Sequence, residues 1–438
     1  MKELAKRATS VTPSLTLAIT AQAKKLKSEG VDVVAFTAGE PDCNTPAYIV
    51  AAAKEALDKG FTKYTPASGT LELRTAVCEK LARENGLSYK PEQIVVSNGA
   101  KQSLYNVFQT IIEEGDEVIV VAPFWLTYPE LIKVNGGTPV IVYARAENGF
   151  RISASEIEAA ITAKTKAVVF NSPNNPTGAV YNEEELRAIM DVCVKHDLYV
   201  VSDEIYEKLI YSGKHVSLAS LGEKAYERTF VINGMSKAYA MTGWRIGYVA
   251  APDARTAKLM GGLQSHETSN PNSIAQYASV TALSTGEEVI DGMVARFGRR
   301  QKLMWKELES VPFVEVVKGD GAFYVMVKVS GLFGKQLGGS VPQTALDVAN
   351  LLIEKAHVAV IPCESFGAPD YIRLSYALGE DDIVKGVGRM AEFFGKIVAE
   401  SRHHRLVSVG KRLYEIVNRS HSAGVFDFIV DCVGFGYS

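Results

Sequence analysis

The chain reads as an α/β protein, with a mostly parallel sheet forming a large domain beside a smaller α+β domain. Three observations carry that reading. Between about residues 90 and 250, short Val- and Ile-rich runs alternate with helix-like stretches, as buried parallel strands do. The distinctive polar residues fall at the carboxyl ends of those runs, where open α/β sheets bind ligands. Beyond about residue 290 strands and helices follow in a less regular order.

In chain order, strands are expected at residues 94–97, 117–121, 140–143, 167–171, 198–202, 230–232 and 246–249. Each is a short apolar or β-branched run. Helices are expected between most of them, for example at 101–112 and 183–196. In the second part, 322–329, 358–361 and 372–376 read as strands, and 342–356 and 381–397 as helices. The glycine-rich stretch 331–339 predicts a mobile loop. These elements suggest a large domain over 45–290, a small domain from 1–44 with 291–400, and a C-terminal extension over 401–438.

Composition narrows the function. The 438 residues are 47% hydrophobic and 22% charged, enough to bury a large core. A net charge of -3 argues against nucleic acid or an anionic membrane as partner. The apolar runs are too short to span a bilayer, and Met1–Ser10 lacks the apolar region of a secretory signal. The five cysteines, Cys43, Cys78, Cys193, Cys363 and Cys432, are odd in number and form no CxxC. The seven histidines form no HExxH. No metal site or disulfide framework is expected, and a reducing, cytoplasmic setting is.

Lys237 is the most informative residue. It follows the run Phe230–Ile232 in a loop of small residues, with Ser236 beside it and Arg245 eight positions on. A desolvated lysine suits Schiff-base chemistry, and an arginine can grip a phosphate with two parallel donors. An amine plus a phosphate anchor is what pyridoxal 5'-phosphate requires. Asp203 ends another strand, and Tyr206 lies three residues on. The carboxylate could simply cap a helix, or it could pair with a pyridinium nitrogen while the phenol meets the ring oxygen. Asn175-Pro-Thr-Gly178 is a turn signature that also ends a strand. Gly99, Ala100 and Lys101 join a strand to a helix start, where backbone N–H groups favour an anion. Trp125 ends a strand and could pack in a core or stack on a flat ring. Arg373, in a strand-like apolar run, could be salt-bridged or could capture a substrate carboxylate.

Together these segments resemble the class I, fold-type I PLP-dependent aminotransferases of the aspartate aminotransferase type. The resemblance runs from about Pro13 to Val398. It rests on Gly39-Glu-Pro-Asp42, Lys63-Tyr64, Ser172-Pro-Asn-Asn-Pro-Thr-Gly178, Ser202-Asp-Glu-Ile-Tyr206, Ser236-Lys237, Gly243-Trp-Arg-Ile-Gly247 and Arg373-Leu-Ser. It implies that Lys237 is linked to the cofactor, Asp203 faces the ring nitrogen, and Asn175 and Tyr206 face the ring oxygen. Trp125 would stack on the ring, Gly99, Ala100, Lys101 and Arg245 would surround the phosphate, and Ser236 would lie against the cofactor beside Lys237. Arg373 would bind the substrate α-carboxylate near the Gly39 backbone. Tyr64 would reach the phosphate of a neighbouring subunit, implying a homodimer with shared active sites. The implied substrates are an amino acid, with aspartate the first choice, and a 2-oxo acid such as 2-oxoglutarate, exchanged by ping-pong kinetics. An aromatic, alanine or prephenate aminotransferase and a C–S lyase are the alternatives. A non-enzymatic PLP-binding regulator fits less well, because the resemblance starts too early to leave room for a preceding DNA-binding domain.

Three departures stand out. Gly234 occupies a place where many relatives have a phosphate-binding hydroxyl. Cys43 replaces a common phenylalanine. Glu267, before Thr268-Ser-Asn-Pro271, puts a carboxylate where relatives are often small and polar, near the active-site entrance; it either points to solvent or pairs with a cation, or it repels a dicarboxylic substrate. Residues 401–438 depart entirely and suggest an extension without catalytic role.

Overall fold

The computed structural model of the chain describes residues 2–397, so the expected extension over 401–438 lies outside the described residues. The N-terminal strand is β1 (Val34–Ala35). The next seven are β2 (Ile94–Ser97), β3 (Glu117–Ala122), β4 (Thr138–Tyr143), β5 (Thr165–Asn171), β6 (Tyr199–Asp203), β7 (Thr229–Gly234) and β8 (Gly247–Ala250). They form one sheet in the order β2-β8-β7-β6-β5-β3-β4. Strands β3 to β7 pair in parallel, while β8 runs antiparallel to both β2 and β7. The sheet is thus mostly parallel, as the sequence implies.

Alternation along the strands explains why the sheet is covered on both faces. Val118, Val120, Val169 and Val201 pack with Leu104, Val107 and Phe108 of the helix Ala100–Ile111. Ile119, Val168, Phe170 and Val200 pack on the other side with Leu186, Ile189 and Cys193 of the helix Glu183–Lys195. That helix starts with a capping box between Asn182 and Glu185. Register then sets the site. Asn171, Asp203 and Ile232 lie side by side, so the ends of β5, β6 and β7 open at one level.

The remaining strands are β9 (Glu315–Val317), β10 (Tyr324–Lys328), β11 (Val358–Ala359), β12 (Ile361–Pro362) and β13 (Tyr371–Ser375). β12-β13-β10-β9 make an antiparallel sheet, and β1 pairs in parallel with β11. The apolar run 358–361 is therefore split between two sheets. The helix expected over 342–356 begins at Ala345, capped by Thr344, and its last turn, Leu352–Ala356, widens to a π-helix. The stretch 331–339 is a loop, but Leu332 and Leu337 are fully buried in the small core, which corrects the picture of a free segment. No helix among the described residues is long and apolar enough to cross a membrane.

One ion network ties the helix Leu71–Asn85 to the turn after β6. Lys80 is buried on that helix, and its Nζ binds Glu207, Asn85 Oδ1 at 2.8 Å and Glu84 at 3.5 Å. Burial alone would raise the Glu207 carboxyl, but the Lys80 charge outweighs it and holds the group at about 2. Removing one partner of a buried pair costs about 3–5 kcal/mol, whereas an apolar pair of similar volume is often neutral. Lys80→Ala should therefore lose about that much stability in urea unfolding, and Lys80→Met with Glu207→Leu should recover most of it. Equal losses in both would show that packing, not the stranded carboxylate, sets the cost.

Candidate active site

A cavity of about 710 Å3 opens over the carboxyl ends of β5, β6 and β7. Asn171, Asn175, Asp203, Tyr206, Ser236, Lys237, Arg245, Arg373, Trp125, Ala100, Lys101 and Gly39 all line it. The residues that the sequence singles out on separate strands therefore converge.

Asp203 is the last residue of β6 and is buried. It accepts hydrogen bonds from Tyr128 Oη at 2.7 Å and from the Ile205 N–H at 3.2 Å. Burial pushes its carboxyl up to about 6 against these two bonds. The segment after it faces two ways. Asp203 and Tyr206 face the cavity. Glu204 is held elsewhere by Ser202 Oγ at 2.9 Å, Ser217 Oγ at 2.7 Å and His215 Nε2 at 2.9 Å. Glu204, Glu207 and His215 have the composition of a metal site. Lys80 and the two serines already occupy the carboxylates, so the group reads as an ion network that fixes the turn.

Lys237 is partly buried, and its ammonium donates to the Gly39 carbonyl. Burial draws the amine down to about 8, with Arg373 and Arg245 adding to the fall and Glu40 and Asp203 opposing it. Nζ lies 5.8 Å from the centre of the Tyr206 ring.

The anion cradle is built from glycines and one arginine. Gly99 precedes the helix Ala100–Ile111 at φ 88°, and a Cβ there would lie 2.1 Å from Arg245 Nη2. Only glycine permits that approach. Arg245 is itself left-handed at φ 59°, and it donates to Thr242 O at 2.8 Å and Asn98 O at 3.3 Å. At Gly234 a Cβ would meet Gly247 Cα at 2.7 Å and Ile246 O at 2.8 Å. Position 234 therefore has no room for a hydroxyl, and Ser236, buried on the cavity wall, is the hydroxyl that remains. Lys101 Nζ stands 4.9 Å over the Trp125 ring.

Arg373 lies on β13 and is 2% exposed. It donates to Asn175 Oδ1 at 3.0 Å and to Thr37 O at 3.3 Å, while its Nε is buried without a partner. Its guanidinium stacks on Tyr324 at 4.3 Å and lies 5.5 Å from the Phe366 ring. Among the described residues no carboxylate pairs with it. A buried guanidinium without a counter-ion is costly, so the position suits an incoming carboxylate.

Gly99, Tyr64, Glu267 and Cys43 do not line the cavity. Tyr64 is 89% exposed and lines no part of it. Glu267 accepts from Gln102 Nε2 at 3.4 Å and is absent from the cavity wall. Cys43 packs against Met293, with Sγ and Sδ 3.5 Å apart. Among the wall residues that the sequence did not single out are Glu40, Thr37, Tyr128 and Tyr324. Glu40 sits inside a quoted motif, and Tyr128 is three residues beyond Trp125, one helical turn on. Thr37 and Tyr324 give no local signal.

An amine brought near neutrality, a buried carboxylate and an anion cradle at the ends of parallel strands define a transaminase. The chain belongs to the family described as aminotransferase class I and II, whose profile matches residues 31–389. It is 46% identical over 396 residues to the aspartate aminotransferase of Bacillus subtilis, covering 90% of this chain and 99% of that one. It is also 46% identical to the probable aspartate/prephenate aminotransferase of Aquifex aeolicus, over 90% and 100% of the two chains. Among solved structures, the aspartate aminotransferase of Rhizobium meliloti superposes with a TM-score of 0.86 at 39% identity, over 90% and 99% of the chains. The Thermus thermophilus enzyme with maleate gives 0.85 at 43%, over 90% and 100%.

The buried carboxylate has a testable pH signature in cofactor-free protein. Asp203 rises from 3.8 to about 6 on folding. Between those values the folded chain keeps a proton that the unfolded chain has lost, so stability falls as pH rises through the window and stays lower above it. Two units correspond to up to about 3 kcal/mol. Asp203→Asn should therefore stabilise the cofactor-free protein at pH 8 and leave it nearly unchanged at pH 3.5, measured by urea unfolding. A variant no more stable than wild type at pH 8 contradicts this.

Proposed function

We propose that this chain is an aspartate:2-oxoglutarate aminotransferase that works with pyridoxal 5'-phosphate. The observation that carries the reading is a single cavity bounded by Lys237, Asp203 and a buried, carboxylate-free Arg373. The residues fit a phosphate: the helix N-terminus at Ala100, Ser236 and Arg245 all line the cavity, and glycine at position 99 lets the Arg245 guanidinium lie against the helix start. When bound, the cofactor supplies an aldehyde that links to amines and a ring that takes up electron density from the substrate α-carbon.

The chain's residues supply everything else. Lys237 would hold the cofactor through Nζ and, once displaced, move the substrate α-proton. An amine near 8 is a competent base at neutral pH, which an ordinary lysine is not. Asp203 would keep a proton on the ring nitrogen, its charge reinforced by Tyr128. Asn175 and Tyr206 would hold the ring oxygen, and Trp125 would cover the ring face. Gly99, Ala100, Lys101, Ser236 and Arg245 would bind the phosphate. Arg373 would grip the α-carboxylate, with Asn175 and the Gly39 segment beside it.

A dicarboxylic substrate is favoured by charge. With Lys101 and Arg245 assigned to the phosphate and Arg373 to the α-carboxylate, Lys24 and Lys27 on the cavity wall are the cations left for a second carboxylate. The Glu267 objection also weakens, because that side chain points to Gln102. Relatives at 46% identity named aspartate aminotransferase support the reading. Relatives named aspartate/prephenate aminotransferase favour prephenate as a second acceptor. We read the enzyme as a cytoplasmic homodimer in which the exposed Tyr64 completes the neighbour's phosphate site. Residues 45–290 form the cofactor-binding unit, and 1–44 with 291–400 the smaller one.

A panel of amino donors with 2-oxoglutarate tests the substrate. Aspartate should give the highest kcat/KM. Ammonia and pyruvate formed without an oxo-acid acceptor would instead indicate a lyase. Arg373→Lys should raise KM for every donor by roughly ten- to a hundredfold, the scale of a lost charged hydrogen bond. A rise confined to dicarboxylic donors would mean that Arg373 reads the side chain.

A further inference from the structure

Tyr324 is buried where two functional positions meet. It lies on β10, and Met326 on the same strand faces Arg373 across the antiparallel pairing with β13. Two residues along a strand return to the same face, so Tyr324 and Arg373 share one side of the small sheet. The Arg373 guanidinium accordingly stacks 4.3 Å over the Tyr324 ring. At its other end, the Tyr324 hydroxyl lies 2.9 Å from the Tyr206 hydroxyl. Both rings are buried and nearly perpendicular, with centroids 5.9 Å apart. Tyr206 belongs to the large sheet's turn, so this contact crosses from one sheet system to the other.

We propose that Tyr324 is a positioning residue that donates its hydroxyl proton to Tyr206, leaving the Tyr206 O–H free to point at the cofactor's ring oxygen. The inference rests on the cofactor reading given above. Two phenols that share one hydrogen bond have one hydrogen between them and one to spare. If Tyr206 donated to Tyr324, it would have none for the ring. The surroundings choose the direction. The guanidinium over the Tyr324 ring draws electron density from that phenol and makes it the better donor. Burial raises both phenols and the Arg373 charge lowers both, but it is the Tyr324 ring that lies under the guanidinium, at 4.3 Å. A phenol that accepts a hydrogen bond becomes a stronger donor in its turn. Arg373 is thereby connected to the ring oxygen through two side chains, Tyr324 and Tyr206.

The consequence is spectroscopic. A hydrogen bond from Tyr206 favours negative charge on the ring oxygen, which favours the unprotonated form of the Lys237–cofactor linkage. In the holoenzyme, Tyr324→Phe removes one hydroxyl and keeps the ring under Arg373. The pH midpoint of the visible absorption band should then rise by about half a unit, the effect of one neutral hydrogen bond felt unequally by two protonation states. KM for amino donors should stay within about twofold, because the aromatic face remains to hold Arg373, while Tyr324→Leu should raise KM as well. In a Tyr206→Phe background, Tyr324→Phe should add no further shift. A midpoint identical to wild type in Tyr324→Phe overturns the proposal, as does an equal shift in the Tyr206→Phe background. A wild-type protein loaded with cofactor that shows no visible band contradicts the cofactor reading and this inference with it. A normal band with an unmoved midpoint contradicts this inference alone.

Discussion

The Asp203 carboxylate is buried at the end of a strand that is itself enclosed on both faces, and most of the site depends on keeping it there. Desolvation pushes this group toward neutrality, so the protein must hold it by directed bonds. Tyr128 reaches it from the helix after β3, and the Ile205 N–H reaches it from its own turn. The same turn is anchored by Glu204 and Glu207, which bind Ser202, Ser217, His215, Lys80 and Asn85. These anchors leave Asp203 and Tyr206 little freedom to rotate away from the cavity.

The glycines beside β8 impose a second constraint. The β2–β8–β7 edge brings backbones closer than side chains allow, as the contacts at Gly234 and Gly247 show. That closeness delivers the Arg245 guanidinium to the helix N-terminus at Ala100. It also removes any hydroxyl from position 234. The missing serine or threonine is therefore a consequence of packing in this chain, and the helix start, Ser236 and Arg245 are the groups left on the cavity wall to meet an anion.

Much of this was legible in the sequence. Buried parallel strands are written as continuous apolar runs, so β2 to β8 were found within a few residues, and their polar ends pointed to one cavity. The direction of β8 was not legible, because an apolar run has no sign. The strand β9 has only three residues and no fully buried one, so it carries no hydrophobic pattern. The helices Ala47–Asp58 and Ser273–Ser284 went unnamed because their buried faces are largely alanine, which marks no periodic stripe. Lys80 reads as a surface lysine on a polar helix, and only its partner Glu207, 127 residues away in sequence, makes it a buried one. Tyr324 is invisible for a similar reason. It lies in an apolar strand as a core residue should, and its role arises from contacts with Tyr206 and Arg373 that are distant in sequence. Glu267 is the opposite case: its position in the sequence leaves a substrate contact and a local partner both open, and the structure supplies a local partner in Gln102.

The central claim is that burial and convergence make Lys237 the one amine that holds the cofactor. Borohydride reduction of cofactor-loaded protein, followed by proteolysis and mass spectrometry of the labelled peptide, tests it most directly. The account predicts a single modified peptide containing Lys237, and no covalent label in Lys237→Ala. A label on Lys101, or on any peptide without Lys237, would contradict it.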